Sequence, residues 1–180
     1  MGTPNDPRSD TQLVAALNAG DCTAFDALYY RHRDWVVRLA RRFTGSDEDA
    51  LDVLQETFSY FFGKFPGFVL SAKITTFLYP VVRNLSIAIR AKRGRERGEE
   101  AMIDPPAAPS PPGEQREELA IVLGALPEGQ REVLLLRFVD GMSLAEIAAA
   151  MQIPAGTVKS RLHNALQALQ SDPRILRYFE

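Results

Sequence analysis

The chain has 180 residues and a formal net charge of −2; 46% of its residues are hydrophobic and 24% are charged. These proportions are those of a soluble globular protein with room for one domain or two small ones, and they exclude a mostly disordered chain. One cysteine excludes an internal disulfide and a cysteine-based metal site, while the short apolar runs and the N-terminus predict a cytoplasmic protein without membrane insertion or a secretory signal.

The first half of the chain predicts a disordered lead followed by four helices. Apolar residues recur at steps of three and four, which is typical of amphipathic helices. Asp21 and Ser46 can cap two of them, because their side-chain oxygens can accept hydrogen bonds from the free amides of a first turn. The aromatic-rich loop Phe65-Pro66-Gly67-Phe68 precedes the fourth helix. The expected lead covers 1–9, and the expected helices cover 10–20, 21–44, 46–63 and roughly 71–93.

Residues 94–113 differ in composition from the segments on either side. Five of the twelve prolines lie here, and the segment has almost no apolar periodicity. Because burial does not offset the entropy of ordering such a segment, we expect a flexible, extended, Pro-rich linker. It divides a first domain over 10–93 from a second over 114–170. The predicted fold class is therefore all-α, with two small helical domains.

The second domain ends in two short helices with helix-turn-helix proportions. Ser143 and Glu146 form a capping box that starts the first of them, 144–151, and Pro154 opens the second, 155–169. A plain helical hairpin with a solvated face is the alternative. The second helix carries short or positive hydrogen-bonding side chains, which suit phosphates and base edges in the major groove. They are Thr157, Lys159, Ser160, Arg161, His163 and Asn164.

Two blocks of opposite charge lie in the first domain and at its end. Residues 46–56 hold five acids and no base, whereas 83–97 hold six bases and one acid. Such a division suggests two different partners, although two solvated helix faces would explain it as well. Asp49, Asp52 and Glu56 recur at helical spacing, so we expect one exposed acidic face that docks on a basic surface. The basic block can neutralise nucleic-acid phosphates, which gives salt-dependent affinity.

Three separated regions carry the most specific motifs. They are Asp49-Ala50-Leu51-Asp52-Val53-Leu54-Gln55-Glu56-Thr57-Phe58; Thr76-Phe77-Leu78-Tyr79 with Arg83-Asn84-Leu85; and, in the second domain, Leu126-Pro127-Glu128-Gly129-Gln130-Arg131-Glu132-Val133, Leu144-Ala145-Glu146-Ile147-Ala148 and Gly156-Thr157-Val158-Lys159-Ser160-Arg161-Leu162. In this order, over residues 10–170, they resemble bacterial RNA polymerase sigma factors of the sigma-70 family, and within it the extracytoplasmic-function (ECF) group. The resemblance implies a factor without catalytic activity that binds core RNA polymerase, recognises −10 and −35 promoter DNA elements and aids promoter opening. It also implies an anti-sigma factor as a further partner.

The resemblance assigns roles to individual residues. It places polymerase binding on Asp49, Asp52, Gln55 and Glu56. It places −10 DNA binding on Lys73, Arg83, Asn84, Arg90, Lys92 and Arg93. It places −35 DNA binding on Thr157, Lys159, Ser160, His163 and Asn164, with Arg137 and Arg161 on phosphates. The loop from Phe65 to Lys73 lies where the family captures an unstacked base; Phe65 and Phe68 offer stacking faces or serve equally as core residues.

Several positions depart from the family pattern or attract attention for other reasons. Phe77 replaces the usual tryptophan of the −10 helix and keeps its apolar character. Pro80 removes a backbone hydrogen bond, so we expect the helix to begin or bend there. The end of the recognition helix, 163–167, holds no arginine, which predicts weaker binding to phosphates.

We expect His32 to be a packed residue rather than a metal ligand and Cys22 to be buried.

Two alternatives from other functional classes stay open at this point. A stand-alone helix-turn-helix transcriptional regulator would share the second domain, but the acidic face and the −10-like helix argue against it. An enzyme built on a helical bundle would use acidic clusters, yet bundle metal sites usually need Glu-x-x-His pairs on facing helices, and the sequence has none. It also has no phosphate-cradling glycine loop, nucleophile elbow or zinc signature. We therefore expect no catalytic residue, no metal and no cofactor.

Overall fold

The computed structural model describes residues 6–96, 114–172 and 174, and within these residues it contains helices and no strand. The predicted all-α class is confirmed. The chain divides into two compact units, Met1–Asp104 and Pro105–Glu180. The helices are α1 (Asp10–Asn18), α2 (Thr23–Thr44), α3 (Asp47–Phe62), α4 (Ile74–Glu96), α5 (Glu114–Ala125), α6 (Glu128–Phe138), α7 (Leu144–Met151) and α8 (Ala155–Gln170).

The first unit is built around α2, which packs against α1, α3 and α4. The apolar stripe of α2 is long enough to serve all three neighbours, and Leu28, Val36 and Leu39 on it are fully buried. Phe61 of α3 and Leu78 of α4 close the same core. Burial of each such side chain stabilises the fold by about 1.5–3 kcal/mol, so this core fixes the helix faces that are left for binding.

Capping side chains set where the helices of the first unit begin. The Ser9 hydroxyl accepts from the Gln12 amide, and the Gln12 side chain accepts from the Ser9 amide, which completes a capping box before α1. Asp21 accepts from both the amide and the hydroxyl of Thr23 at 2.9 and 2.6 Å. Ser46 caps α3. The cap predicted at Ser46 is therefore confirmed. The N-cap position of α2 is held by Cys22, without a side-chain cap, and Asp21 just before it accepts from the first amide of the helix.

Residues 6–9 do not form the disordered lead that we expected. Arg31 of α2 donates hydrogen bonds to the carbonyls of Asp6 and Arg8 at 2.7 and 3.0 Å. Arg31 also pairs with Asp10 at 2.6 Å. These contacts join residues that are 21 to 25 positions apart in the sequence, so no local sequence pattern predicts them.

Further expectations about the first unit concern Pro80, the end of the fourth helix and Cys22. The fourth helix does not begin at Pro80: α4 starts at Ile74 and runs through the proline, whose nitrogen has no hydrogen to donate to the carbonyl of Thr76. It ends at Glu96, three residues beyond the predicted domain end at 93; the rest of the predicted linker, 97–113, lies outside the described residues. Cys22 is exposed rather than buried, because it sits in the turn before α2.

The second unit packs α6 and α7 against α8. Leu126, Leu134 and Ala165 form a buried cluster, joined by Leu162 of α8. The Ser143–Glu146 capping box is present and α7 has its predicted bounds. Gln152 ends α7 in the left-handed conformation, and α8 follows Pro154 as predicted and ends one residue later than expected. One side of α8 is therefore packed against α6 and α7, and its other side is exposed to solvent.

Candidate partner and nucleic-acid interfaces

The exposed side of α3 carries acidic and amide side chains. Asp52, Gln55 and Glu56 all face solvent, as the helical spacing predicts. Leu51 lies beside them with 53% of its surface exposed, and it adds an apolar contact area. We call Leu51, Asp52, Gln55 and Glu56 the α3 face. It combines negative charge with one exposed apolar side chain at its edge, which suits a protein partner with a basic surface.

Asp49 lies on the same side of α3 as the α3 face, but it is covered rather than exposed. Only 4% of its surface is exposed, and its carboxylate pairs with Arg93 of α4 at an Oδ1–Nε distance of 2.7 Å. The prediction that Asp49 shares an exposed face with Asp52 and Glu56 is therefore wrong. α4 packs on this side of α3, and a buried carboxylate needs a charged partner there.

Arg93 is shared between two acids of α3. Its Nη2 lies 3.1 Å from Glu48 in addition to its contact with Asp49. The hydrogen bond with Glu48, opposed in part by burial and supported by the charge of Asp49, raises the pKa of the Arg93 guanidinium, which stays charged. Arg93 was predicted to bind DNA, but its guanidinium is paired with two acids of the first unit. The acidic and basic blocks meet each other at this point.

The other predicted −10 residues divide into exposed and half-buried ones. Lys73, Asn84 and Lys92 are exposed. Arg83 and Arg90 are half-buried, and Arg90 donates to the carbonyl of Phe43 at 3.2 Å. Successive residues of an α-helix are rotated by about 100° around its axis, and this rotation places Arg93 on the side of α4 opposite to Asn84. Arg93 therefore contacts α3, whereas Asn84 is exposed to solvent.

The loop between α3 and α4 rests on an aromatic cluster formed by Phe61, Phe65, Phe68 and Phe77. Phe61 meets the rings of Phe65 and Phe68 edge-on, each at 5.4 Å between centroids. Phe68 also contacts Phe77 at 4.8 Å. Phe65 and Phe68 are each half-buried, so each packs one side of its ring and leaves the remainder accessible. Both roles that the sequence left open for them are compatible with this position.

Asn18, at the end of α1, is a residue that the sequence analysis missed. Its side-chain amide bonds the loop backbone at Gly67 and Phe68. The partners are 49 and 50 residues away in the sequence. The only local signal is an amide side chain at a helix end close to Gly20, and this pattern is equally typical of a capping residue.

The recognition helix α8 presents one side to solvent. Val158 and Ala165 are buried on the inner side. Four of the predicted −35 residues lie exposed on the outer side: Lys159, Ser160, His163 and Asn164. Thr157 is half-buried, and its carbonyl accepts a hydrogen bond from the Ser160 hydroxyl at 3.1 Å. The exposed set provides donors and acceptors near the N-terminal half of one helix, which is the arrangement a major groove admits.

The two arginines predicted to bind phosphates lie at the border of this surface. The guanidinium of Arg161 lies over Gly129 of α6, so close that a methyl group on Gly129 would be 2.8 Å from Nη1. Glycine at this position therefore leaves room for the arginine. Arg137 is exposed and donates to the carbonyl of Met142 at 3.0 Å. Both guanidinium groups are positioned by contacts within the second unit.

Neither a metal site nor a membrane helix is found in the described part of the chain. No group of three or more potential ligands among the described residues could hold a metal ion. No described helix is long and apolar enough to cross a bilayer. His32 is buried and its Nε2 lies 2.9 Å from Asp10, which confirms the prediction of a packed histidine.

Comparisons with known proteins agree with both units. The family described as Sigma-70 region 2 matches residues 28–96, and the family described as Sigma-70, region 4 matches residues 116–169. The chain is 30% identical to the RNA polymerase sigma-H factor of Pseudomonas aeruginosa, over 89% of this chain and 91% of that one. It is also 30% identical to the ECF RNA polymerase sigma-E factor of Escherichia coli K12, over 91% and 93% of the two chains.

A solved structure shows the same similarity. CnrH, in complex with the cytosolic domain of CnrY, matches with a TM-score of 0.67 and 26% identity, over 90% of this chain and 95% of that one. These similarities extend across both units, which argues against the stand-alone helix-turn-helix regulator. The chain therefore belongs to the ECF group of the sigma-70 family of RNA polymerase sigma factors, which are transcription initiation factors.

Proposed function

We propose that this chain directs core RNA polymerase to promoters by using its two domains for different elements. The domain over 10–93 binds the polymerase and the −10 element, the linker over 94–113 spans the gap, and the domain over 114–170 binds the −35 element. The factor acts in the cytoplasm and has no catalytic residues or cofactor. The observation that carries this proposal is that one helical unit exposes acidic side chains on α3 and polar or basic ones, Asn84 and Lys92, on α4.

The α3 face is the proposed site for core polymerase. Asp52 and Glu56 lie one helical turn apart and are exposed, so both carboxylates can meet one basic surface without losing an internal partner. Leu51, at the edge of this face, supplies an exposed apolar contact of the kind that protein interfaces usually include. Asp49 does not belong to this interface and instead positions α4 through Arg93.

The exposed side of α4 and the preceding loop form the proposed −10 site. Asn84 and Lys92 can reach DNA directly, and each phosphate that a lysine or arginine neutralises adds salt-dependent affinity. The loop from Phe65 to Lys73 would capture an unstacked base. Because unstacking costs a few kcal/mol, the accessible parts of the Phe65 and Phe68 rings must offset it by stacking.

The outer side of α8 is the proposed −35 site. Lys159 and Asn164 are suited to base edges, and a good bidentate base contact discriminates by about 1–3 kcal/mol. Arg161 is held over Gly129 and would contact a phosphate from there. The scarcity of arginine along the rest of this helix supports a modest electrostatic contribution.

An anti-sigma factor is the further partner that we propose. The related CnrH was solved with the cytosolic domain of CnrY. A protein of that kind would block transcription by covering the surfaces assigned here to the polymerase. The α3 face, with exposed charge beside an apolar residue, is the surface we assign to such competition.

A charge reversal on the α3 face tests the proposal. We expect the double variant Asp52→Lys, Glu56→Lys to bind core polymerase on the order of tenfold to a hundredfold more weakly, because like charges would meet across the interface. Both residues are exposed, so the fold should be unaffected. Asp34→Lys reverses an exposed acid on α2 and serves as the control. Affinity for core polymerase equal to that of the unaltered chain would contradict the assignment.

A further inference from the structure

The loop between α3 and α4 is fastened by one side chain from a distant helix. The Asn18 side-chain nitrogen donates to the carbonyl of Phe68 at 2.8 Å, and the Gly67 amide donates to the Asn18 side-chain oxygen at 2.7 Å. One amide group thus satisfies an acceptor and a donor on adjacent residues. Asn18 is half-buried; its hydrogen bond to Phe68 is partly shielded from water, and the one from Gly67 is exposed.

The helix that carries Asn18 is held firmly. Leu13 and Val14 of α1 are buried, and Asp10 at its start contacts both Arg31 and His32 of α2 at 2.6 and 2.9 Å. The position of the Asn18 amide is therefore set by the packed core of the first unit. The hydrogen bonds of this amide group therefore hold the loop in a fixed position relative to that core.

The rest of the loop has few other constraints on its backbone. Phe68 is packed on Phe61 and Phe77, whereas Val69 is 80% exposed. Gly67 has a φ of +103°, a conformation that few residues other than glycine adopt, and nothing lies within 4 Å of the place a side chain would occupy. The Asn18 contacts thus hold the loop where it changes direction and before it projects into solvent.

We propose that Asn18 is a positioning residue for base selection in the −10 element. By holding Gly67 and Phe68, it keeps the projecting part of the loop in the one geometry that matches the edges of the preferred base. Discrimination between bases requires a site held to within about 0.5 Å, because a looser loop adapts to several bases. This inference rests on the proposed function of the loop. It assigns to α1 a role in promoter selectivity in addition to its packing.

The test uses the full chain assembled with core polymerase. Transcription is measured from a DNA library randomised in the −10 element behind a constant −35 element, and the readout is the preference at each −10 position rather than total output. We expect Asn18→Ala to reduce the preference at one or more positions by about tenfold, the order expected when two hydrogen bonds that hold the loop are lost. Selectivity for −35 variants and affinity for core polymerase should stay unchanged.

Two further variants separate the positioning role from a general one. Asn18→Asp keeps the shape and can still accept from the Gly67 amide, but its second oxygen repels the Phe68 carbonyl, so it should reduce the same preferences to a smaller extent. Thr11→Ala, an exposed change on the same helix, should behave as the unaltered chain. If Asn18→Ala fails to fold, as judged by thermal unfolding, the Asp variant carries the test.

The possible results are distinguishable. An unchanged −10 preference in both Asn18 variants, with Phe68→Ala changing it, would overturn the role of Asn18 while leaving the loop as a promoter reader. An equal fall in transcription from every −10 sequence would mean a structural role only and would also overturn the inference. If Phe68→Ala leaves the −10 preference unchanged as well, the proposed function of the loop is wrong, and the inference falls with it.

Discussion

Removal of the Asp49 carboxylate should destabilise the first unit, and the size of the effect follows from its surroundings. Breaking a fully buried ion pair costs about 3–5 kcal/mol. Here Asp49 is almost fully buried, but the Arg93 side chain is 29% exposed and keeps Glu48 as a partner at 3.1 Å. The stranded arginine is therefore partly solvated, and we expect Asp49→Ala to lower the free energy of unfolding by about 2 kcal/mol.

The assay is urea unfolding of the full chain, followed by tryptophan fluorescence. Trp35 is the single tryptophan and is buried in α2, so its signal reports on the first unit alone. Glu56→Ala removes an exposed acid from the same helix and should change the free energy of unfolding by less than about 0.5 kcal/mol. Equal destabilisation by the two variants would refute the structural role of the Asp49–Arg93 pair.

Three further predictions concern other parts of the molecule. Lys159→Ala should cost about 1–3 kcal/mol of discrimination at one −35 position, as measured by transcription from −35 variants, and unaltered selectivity at every position would contradict the docking of α8. Deletion of residues 103–112 should abolish activity on promoters that need both elements. The seventeen residues between α4 and α5, 97–113, reach about 50 Å if extended, and with domain radii of about 10 Å each they only just cover the roughly 70 Å of two duplex turns; full activity of the deletion variant would show that the two domains do not act as a spaced pair. Hydrogen bonds from Thr23 and from the Arg8 guanidinium lower the pKa of Asp21 from 3.8 to about 2. Because the pKa is lowered in the folded state, this contribution to stability is complete above pH 3.8 and is lost as the pH falls through about 2. Asp21→Asn keeps an accepting cap but should flatten the pH dependence of urea unfolding in that range, and an unchanged slope would contradict it.

Local signals in the sequence were sufficient to predict the four helices of the first unit and the last two of the second, with their ends to within about three residues. Caps such as Ser46 and the Ser143–Glu146 pair act within one turn, so they are visible as short spacings. The exposed residues of α8 follow from the positions of Val158 and Ala165 for the same reason. The order of elements and the surface of the second unit could therefore be predicted without tertiary information.

The errors concern residues whose surroundings are set by distant parts of the chain. Helical spacing places Asp49, Asp52 and Glu56 on neighbouring rows, but only the packing of α4 decides that Asp49 is covered. Asn18 contacts Phe68, which is 50 positions further along the chain, and no periodicity of the sequence predicts that contact. Charge counts likewise could not show that Arg93 is neutralised within the unit rather than by DNA.

Transcription from a library of genomic DNA fragments, with core RNA polymerase and the purified chain, tests the central claim most directly. With start sites mapped, we predict new transcripts that require the chain and share two upstream sequence elements separated by a constant distance of about two duplex turns. The Asp52→Lys, Glu56→Lys variant should abolish those transcripts while still binding the same fragments weakly without polymerase. No chain-dependent start sites, or binding to DNA that is equally strong and specific without polymerase, would contradict the assignment of this protein as a promoter-selecting initiation factor.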